Sequence, residues 1–483
     1  MKSSKPKQAI IQAANYEFIP MVAVFKQIML TNFSPSQWRN SSFLYQWVGL
    51  FAGWRESSWL MQWSEAIAAL MISLVFLLGP FVATSLIGFL LAVLGLYWGL
   101  LTLADSRINS GITPIHLIVF LYWGISAVAV GFSPVKMAAL VGFGKLSLNL
   151  LFFLASARIL RSPILLNRII TSILLVALVV SSYGIKQQID GVEQLATWND
   201  PTSDLAGVTR VYSYLGNPNL LAAYLVPMIA LSVAAIFVWR KGMPKILAVC
   251  MTGINFVCLY FTQSRGGWLG LVGTCAVFLL LSYLWWRETL PNFWKRWLLP
   301  LVFGGAGLLF ILGFLFVEPL RIRVMSIFAG REDSSNNFRI NVWEGVKKMI
   351  RDRPIIGIGP GNSAFNKIYP LYMSPKYSAL SAYSIYLEIS VETGFIGFFS
   401  FLWFLIVTVS QGVREIIALR KNLNLQGFWV MAAIAGMSGL LVHGFVDTVW
   451  YRPQISTLWW FLVAVIASQY SYLVKTNPLD TNS

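Results

Sequence analysis

Charge is scarce in this chain. Only 11% of its 483 residues are Asp, Glu, Lys or Arg, and only 19 are acidic. With 57% hydrophobic residues and a mean hydropathy of +0.68, there is too little polar surface to cover a soluble globule of this length, which excludes a water-soluble domain. Basic residues number 36 and give a net charge of +17. In a soluble protein that excess would point to nucleic acid. Here the basic residues fall mostly in short connections between apolar runs, where they set orientation across a membrane, and no nucleic-acid partner is expected. Histidine is limited to His116 and His443. The three cysteines, Cys250, Cys258 and Cys275, lie inside apolar segments at spacings that fit neither a zinc site nor a disulfide framework, so they read as packing residues. No metal and no cofactor are expected. The chain has no P-loop, HExxH or GxSxG motif, which excludes ATP-driven transport by this chain alone.

What the sequence has in quantity is long apolar runs. A bilayer span needs roughly 20 apolar residues, and such runs fall near 66–81, 83–104, 113–131, 136–156, 165–186, 217–239, 244–262, 266–286, 297–317, 381–411, 425–447 and 454–474. The expected fold is an all-α polytopic membrane protein of about twelve transmembrane helices. Residues 1–64 form an N-terminal arm without a signal-peptide pattern, in which Ile19–Leu30 and Phe43–Trp54 read as interfacial helices. Residues 65–317 hold nine spans, 318–380 a large loop, 381–475 three more spans, and 476–483 a short tail.

Charge orients the spans. If both termini are cytoplasmic, the inner connections carry Arg107, then Arg158, Arg161 and Arg168, then Arg240, Lys241 and Lys245, then Arg287, Lys295 and Arg296, then Arg414, Arg420 and Lys421, and finally Lys475. The outer side then receives the acidic 187–216 connection, with Asp190, Glu193, Asp200 and Asp204, and the 318–380 loop. This is the positive-inside pattern of a multi-pass protein of the inner (plasma) membrane. The long loop breaks the bias, since it carries Arg321, Arg323, Arg331, Arg339, Lys347, Lys348, Arg351, Arg353, Lys367 and Lys376. Its charge therefore needs another purpose, and an anionic substrate supplies one. Within it, Val342, Val346, Met349 and Ile350 recur at helical spacing up to Pro354. The GIGPGN run that follows, Gly357–Asn362, is glycine-rich enough to aim several backbone N–H groups at an anion.

Ionisable residues cluster at the outer boundary of the spans. Arg265, in TQSRGG, fits either a guanidinium reaching water at a helix end or an anion ligand. Arg339 lies beside the apolar face of the loop helix and should point toward the membrane, where it would share one anion site with Arg265. Glu388 and Glu392, four residues apart, read equally as proton or ion carriers and as partners of those arginines. His443 and Asp447 repeat the spacing and could form an imidazole oriented by a carboxylate. The glycine stripes Gly266, Gly267, Gly270, Gly273 and Gly436, Gly439 point to close helix packing. His116 reads as structural.

Five motifs in order, YLGNPNLLAAYL, TQSRGGWLG, NNFRINVWEGVKKMIRDRPIIGIGPGN, YSIYLEISVETGFIGF and HGFVDTVWYRPQ, resemble the O-antigen ligase and polymerase superfamily, in particular its cyanobacterial inorganic-carbon-transporter branch, over about residues 60–475. The resemblance implies a fold of about twelve helices with a large periplasmic loop. For glycan-transferring members it implies movement of a glycan from an undecaprenyl-pyrophosphate carrier, with the pyrophosphate on Arg265 and Arg339. For the inorganic-carbon branch it implies bicarbonate accumulation, as a transporter or an accessory to one. Membrane lipids and other membrane proteins are the further partners. The family's catalytic histidine belongs to a HAHN-like motif that here reads Ser381, Ala382, Tyr383, Ser384. A neutral serine or tyrosine is a poor base near neutral pH, so the candidates for that role are His443 with Asp447, or Glu392 with Glu388. Tyr383 is expected to stand in the vacated place as a neutral wall of the pocket, with His443 not acting as the base.

Overall fold

The computed structural model describes residues 27–30, 42–105, 111–192 and 209–470. Among these, all regular structure is helical. Fifteen helices carry the argument: α1 (Ser64–Leu78), α2 (Thr84–Leu103), α3 (Pro114–Gly131), α4 (Lys136–Ile159), α5 (Pro163–Asp190), α6 (Pro218–Val238), α7 (Met243–Phe261), α8 (Arg265–Trp286), α9 (Asn292–Phe316), α10 (Glu318–Phe328), α11 (Ser334–Asp352), α12 (Asn362–Ile368), α13 (Ile385–Lys421), α14 (Gly427–His443) and α15 (Pro453–Ser468). Nine of the described helices are long and apolar enough to cross a bilayer, namely α2 to α9 and α13. Three shorter apolar helices, α1, α14 and α15, occupy the remaining predicted runs. The chain is an all-helical polytopic membrane protein.

The centre of the bundle is α6, whose side chains are buried along most of its length. It enters with Asn217 as N-cap and Pro218 at the first turn, where a missing N–H is harmless. α6 packs on α7, α8 and α14, while α8 also lies along α14. That last contact is close because both helices present glycine. A Cβ at Gly270 would stand 2.8 Å from the Gly439 carbonyl oxygen, and one at Gly439 would stand 1.9 Å from Thr274 Oγ1. Small residues let spans approach where lipid offers no hydrophobic driving force.

On the far side of the bundle α13 lies along α3, and it is not one helix. Gly394 adopts φ +65° and ψ −171°, a conformation only glycine tolerates, and splits it. The break frees backbone groups that the segment after α11 satisfies. Ile358 N and Gly359 N donate to the carbonyls of Val391 and Glu392 (both 2.9 Å), and Phe395 N donates to the Pro354 carbonyl (2.7 Å). Gly361 N donates to Glu392 Oε1 (2.7 Å). The GIGPGN turn is thus held against α4, with the Pro360 carbonyl where a Gly142 side chain would be. This corrects one sequence expectation. The N–H groups of Ile358, Gly359 and Gly361 are taken up by a broken helix and a carboxylate of the chain itself, and that of Gly357 by the Arg353 carbonyl.

One further expectation changes, and the structural reading of His116 holds. Cys258 is buried, but Cys250 and Cys275 are exposed on the outside of their helices, so only the first is a core residue. His116 joins Thr113 in a capping box at the start of α3. The run Ile19–Leu30 lies mostly outside the described residues, as do Arg107, Glu193, Asp200, Asp204 and Lys475. Phe43–Trp47 forms a 3-10 turn and Ala52–Ser57 a short helix, with Phe43, Trp47, Phe51 and Trp54 exposed. Arg55 ties this arm to the bundle through Asp105, which also pairs with Arg158 (2.8 Å each).

Candidate anion-binding site

The 318–380 loop is an ordered helical cap. In α11, Val342, Val346 and Met349 are buried and Ile350 half-buried, while Lys347, Lys348 and Arg351 face outward, as an amphipathic helix requires. Asp333 caps its N-terminus by accepting from Asn336 N (2.8 Å). Between this cap and the ends of α6, α8 and α14 lies a cavity of about 320 Å3 lined by Arg210, Arg265, Arg323 and Arg339.

Arg265 is the first residue of α8, behind the Ser264 N-cap, so the positive end of that helix adds to the field in the cavity. Its Nη2 pairs with Asp333 Oδ1 (2.9 Å) and its Nη1 donates to the Ser326 carbonyl (2.8 Å). Arg339 donates from Nε to the Val446 carbonyl (2.7 Å) and from Nη1 to Ser335 Oγ (2.6 Å). No described residue takes its Nη2. Arg210 reaches in from the connection before α6, donating to the Thr262 carbonyl and to Asn219 Oδ1 (3.2 Å each). Arg323, on α10, donates to the Gln263 carbonyl, and its buried Nε has no partner.

Only Asp333 and Asp447 oppose these four cations among the lining residues, so two positive charges remain unanswered. The electrostatics record the crowding. Burial, then repulsion from Arg265 and Arg339, pushes Arg210 down to about 10 despite Asp447. Burial with repulsion from Arg210 and Arg265 brings Arg323 down to about 9. Arg339 is lowered too, chiefly by burial. Asp333 moves the other way: burial alone would raise it, but the Arg265 hydrogen bond, the Asn336 N–H and the neighbouring arginines together hold it below its ordinary value. Repulsion among guanidiniums gathered in one cavity is what a bound anion would relax.

Arg265 and Arg339, far apart in sequence, therefore line one cavity. His443 and Asp447 line it too, but not as a pair on one helix. α14 ends at His443, the chain turns at Gly444, and Asp447 Oδ2 accepts from Asn219 Nδ2 (3.0 Å). His443 is 1% exposed and its Nδ1 is buried without a partner. Gly266 makes room for it, since a Cβ there would stand 2.5 Å from His443 Cδ2.

Glu388 and Glu392 are elsewhere. Both line a second cavity, and the partner of Arg265 is Asp333, so the expected pairing of these glutamates with the two arginines is replaced. Tyr383 is not among the lining residues of the arginine cavity. Its ring meets Phe338 edge-on at 5.4 Å, and burial, with the nearby Asp447 charge, raises its hydroxyl to about 12. The wall at this point is Trp343, whose indole N–H donates to the Ala382 carbonyl (3.0 Å).

Sequence reasoning missed Arg210, Asn219 and Asp333 and left Arg323 in a crowd of loop cations. One signal was present: Arg210 is the single basic residue between 187 and 216, directly before the YLGNPN helix entry.

No curated protein matches the chain. Residues 246–402, about a third of the chain, match the model of the Wzy_C family, described as O-antigen ligase. The matched stretch runs from α7 into α13 and contains Arg265, Arg323, Asp333 and Arg339, whereas Arg210, Asn219, His443 and Asp447 complete the cavity from outside it. The arginine cavity thus belongs to a polytopic membrane protein that is, over residues 246–402, similar to the family described as O-antigen ligase.

Proposed function

We propose that the cavity holds the pyrophosphate of a lipid-linked glycan and that the protein is a glycan ligase or polymerase at the outer face of the plasma membrane. The observation that carries this reading is the convergence of four guanidiniums against two carboxylates. An excess of two positive charges suits a pyrophosphate better than the single charge of bicarbonate, and planar guanidiniums favour multi-oxygen anions. The side assignment rests on charge: with both termini cytoplasmic, the short connections between spans carry the basic residues inward and the α10–α12 cap faces outward.

In the reaction, an acceptor hydroxyl attacks the anomeric carbon of the donor. The carbon–oxygen bond to pyrophosphate breaks and the lipid pyrophosphate leaves with its new charge on the arginines. The hydroxyl proton goes to His443, which reverses the ranking given to that residue from sequence. Its place in the lining of the same cavity supports the assignment.

A second reading, accumulation of inorganic carbon by a transporter or its accessory subunit, draws on a different feature. Discontinuous helices beside buried carboxylates mark ion and substrate sites in transporters, and α13 is broken at Gly394 next to Glu392.

Purified protein in proteoliposomes separates the two. Supplied with an undecaprenyl-pyrophosphate oligosaccharide and a saccharide acceptor, it is expected to transfer glycan, and His443→Ala to lower the rate about 100-fold or more, the usual worth of a general base, with donor binding retained. Bicarbonate flux under a sodium or proton gradient, with no transfer in the same preparation, would sink the ligase reading.

A further inference from the structure

The second cavity, about 690 Å3, is larger than the first and is lined by both signs of charge, Glu388 and Glu392 with Lys145 and Arg452. It opens among α2, α3, α4, α13 and α15, back to back with the arginine cavity, for Asp447 lines one and Thr448 the other. Its walls combine two kinds of surface. Tyr122, Trp450, Tyr451 and Trp459 present aromatic rings, of which the first three are only half-buried. Glu388, Glu392, Asn149 and Asn366 present polar groups.

The polar groups are fixed but not used up. Glu388 Oε2 accepts from Ala382 N (2.5 Å) and Glu392 Oε1 from Gly361 N (2.7 Å), so backbone from the glycine turn and from the connection just before α13 sets both carboxylates. A carboxylate offers about four acceptor sites, and each of these has capacity left. Three buried atoms on the cavity residues, Trp450 Nε1, Asn149 Oδ1 and Thr448 Oγ1, have no partner among the described residues. The Glu388 and Glu392 carboxylates call for hydroxyl donors and the Lys145, Asn366 and Arg452 side chains for acceptors, so the fitting occupant donates and accepts. An acyl chain does neither and would leave the carboxylates stranded. A carbohydrate does both, and its C–H face lies flat on aromatic rings while its hydroxyls reach the edges of the pocket.

We infer that this cavity binds a saccharide, with hydroxyls on Glu388 and Glu392 and a sugar face against Trp450 and Tyr451. Under the glycan-transfer reading, on which this assignment rests, the saccharide is the acceptor, delivered beside the donor pyrophosphate. Saccharide binding itself requires no donor and can be tested without one.

The test uses the full chain in nanodiscs of phosphatidylethanolamine and phosphatidylglycerol, with no lipid pyrophosphate present. Maltotriose and chitotriose are titrated and followed by saturation-transfer difference NMR. Saturable binding of at least one is expected. Glu392→Gln and Trp450→Ala should each weaken it at least tenfold, whereas Arg339→Lys should leave it unchanged. Should either of the first two fail to fold, Asn366→Ala at the exposed mouth replaces it, with a loss of at least threefold. The inference falls if neither sugar binds saturably, if the cavity substitutions leave binding intact, or if native mass spectrometry finds a retained phospholipid that these substitutions release. Sugar binding without transfer activity would uphold the saccharide site and remove the ligase reading.

Discussion

Arg339→Lys is expected to cut glycan transfer from a lipid-pyrophosphate donor about 100-fold, and Arg339→Ala about 1000-fold, since removal of one preorganised donor to a developing anion costs 10²–10³ in rate. Lysine keeps the charge yet cannot reproduce the fork. Arg339 spends Nε on the Val446 carbonyl and Nη1 on Ser335, which leaves Nη2 aimed for a ligand. A lysine must choose between the scaffold and the substrate. The measurement is steady-state transfer with a labelled donor, alongside donor affinity. Loss of rate and affinity together is expected, because the guanidinium meets the pyrophosphate in the bound donor as well as in the departing carrier. Unchanged transfer in Arg339→Lys would mean that the cavity is not where the donor sits.

The second large effect concerns two glycines two residues apart on α4. Gly142→Ala is expected to destabilise the protein by about 3 kcal/mol, within the range for overpacking a tight contact, because a Cβ there would lie 1.9 Å from the Pro360 carbonyl oxygen. Gly144→Ala meets nothing within 4 Å and should stabilise by about 0.5 kcal/mol, as alanine does for glycine inside a helix. Opposite signs from the same chemical change isolate the contact from helix propensity. Thermal unfolding of the two variants in detergent reads the difference, and equal midpoints would show that the glycine turn is not seated on α4.

The spans were legible because lipid leaves little freedom: an apolar run of the right length has to be a helix. Boundaries were legible only where the chain's chemistry changes abruptly. The tenth run was read as 381–411, but α13 begins at Ile385 and continues to Lys421, past Arg414 and Glu415, because its C-terminal end is helical without being uniformly apolar. Ahead of it, Tyr383 has φ +49° and cannot belong to a helix. Arg265 and Arg339 could be named since each stands at a recognisable place, one at a helix start and one on an amphipathic face. Arg210 and Asp333 could not, since their role exists only after helices distant in sequence are brought together. The glycine run was misread for a related reason. Its N–H groups answer carbonyls that Gly394 sets free, and no pattern around residue 357 announces a break in a helix that begins at residue 385.

α9 contributes no buried residue, and its main packing partner is α10, the next helix in the chain. A span so poorly held by its own bundle takes its tilt from the thickness of the surrounding bilayer. Only Val317 separates it from α10, which carries Arg323 into the anion cavity. Membrane thickness is therefore expected to act on one of the four guanidiniums. The same protein reconstituted in bilayers of progressively longer acyl chains should bind pyrophosphate with graded affinity, and a flat response would show that α10 is anchored by the cap alone.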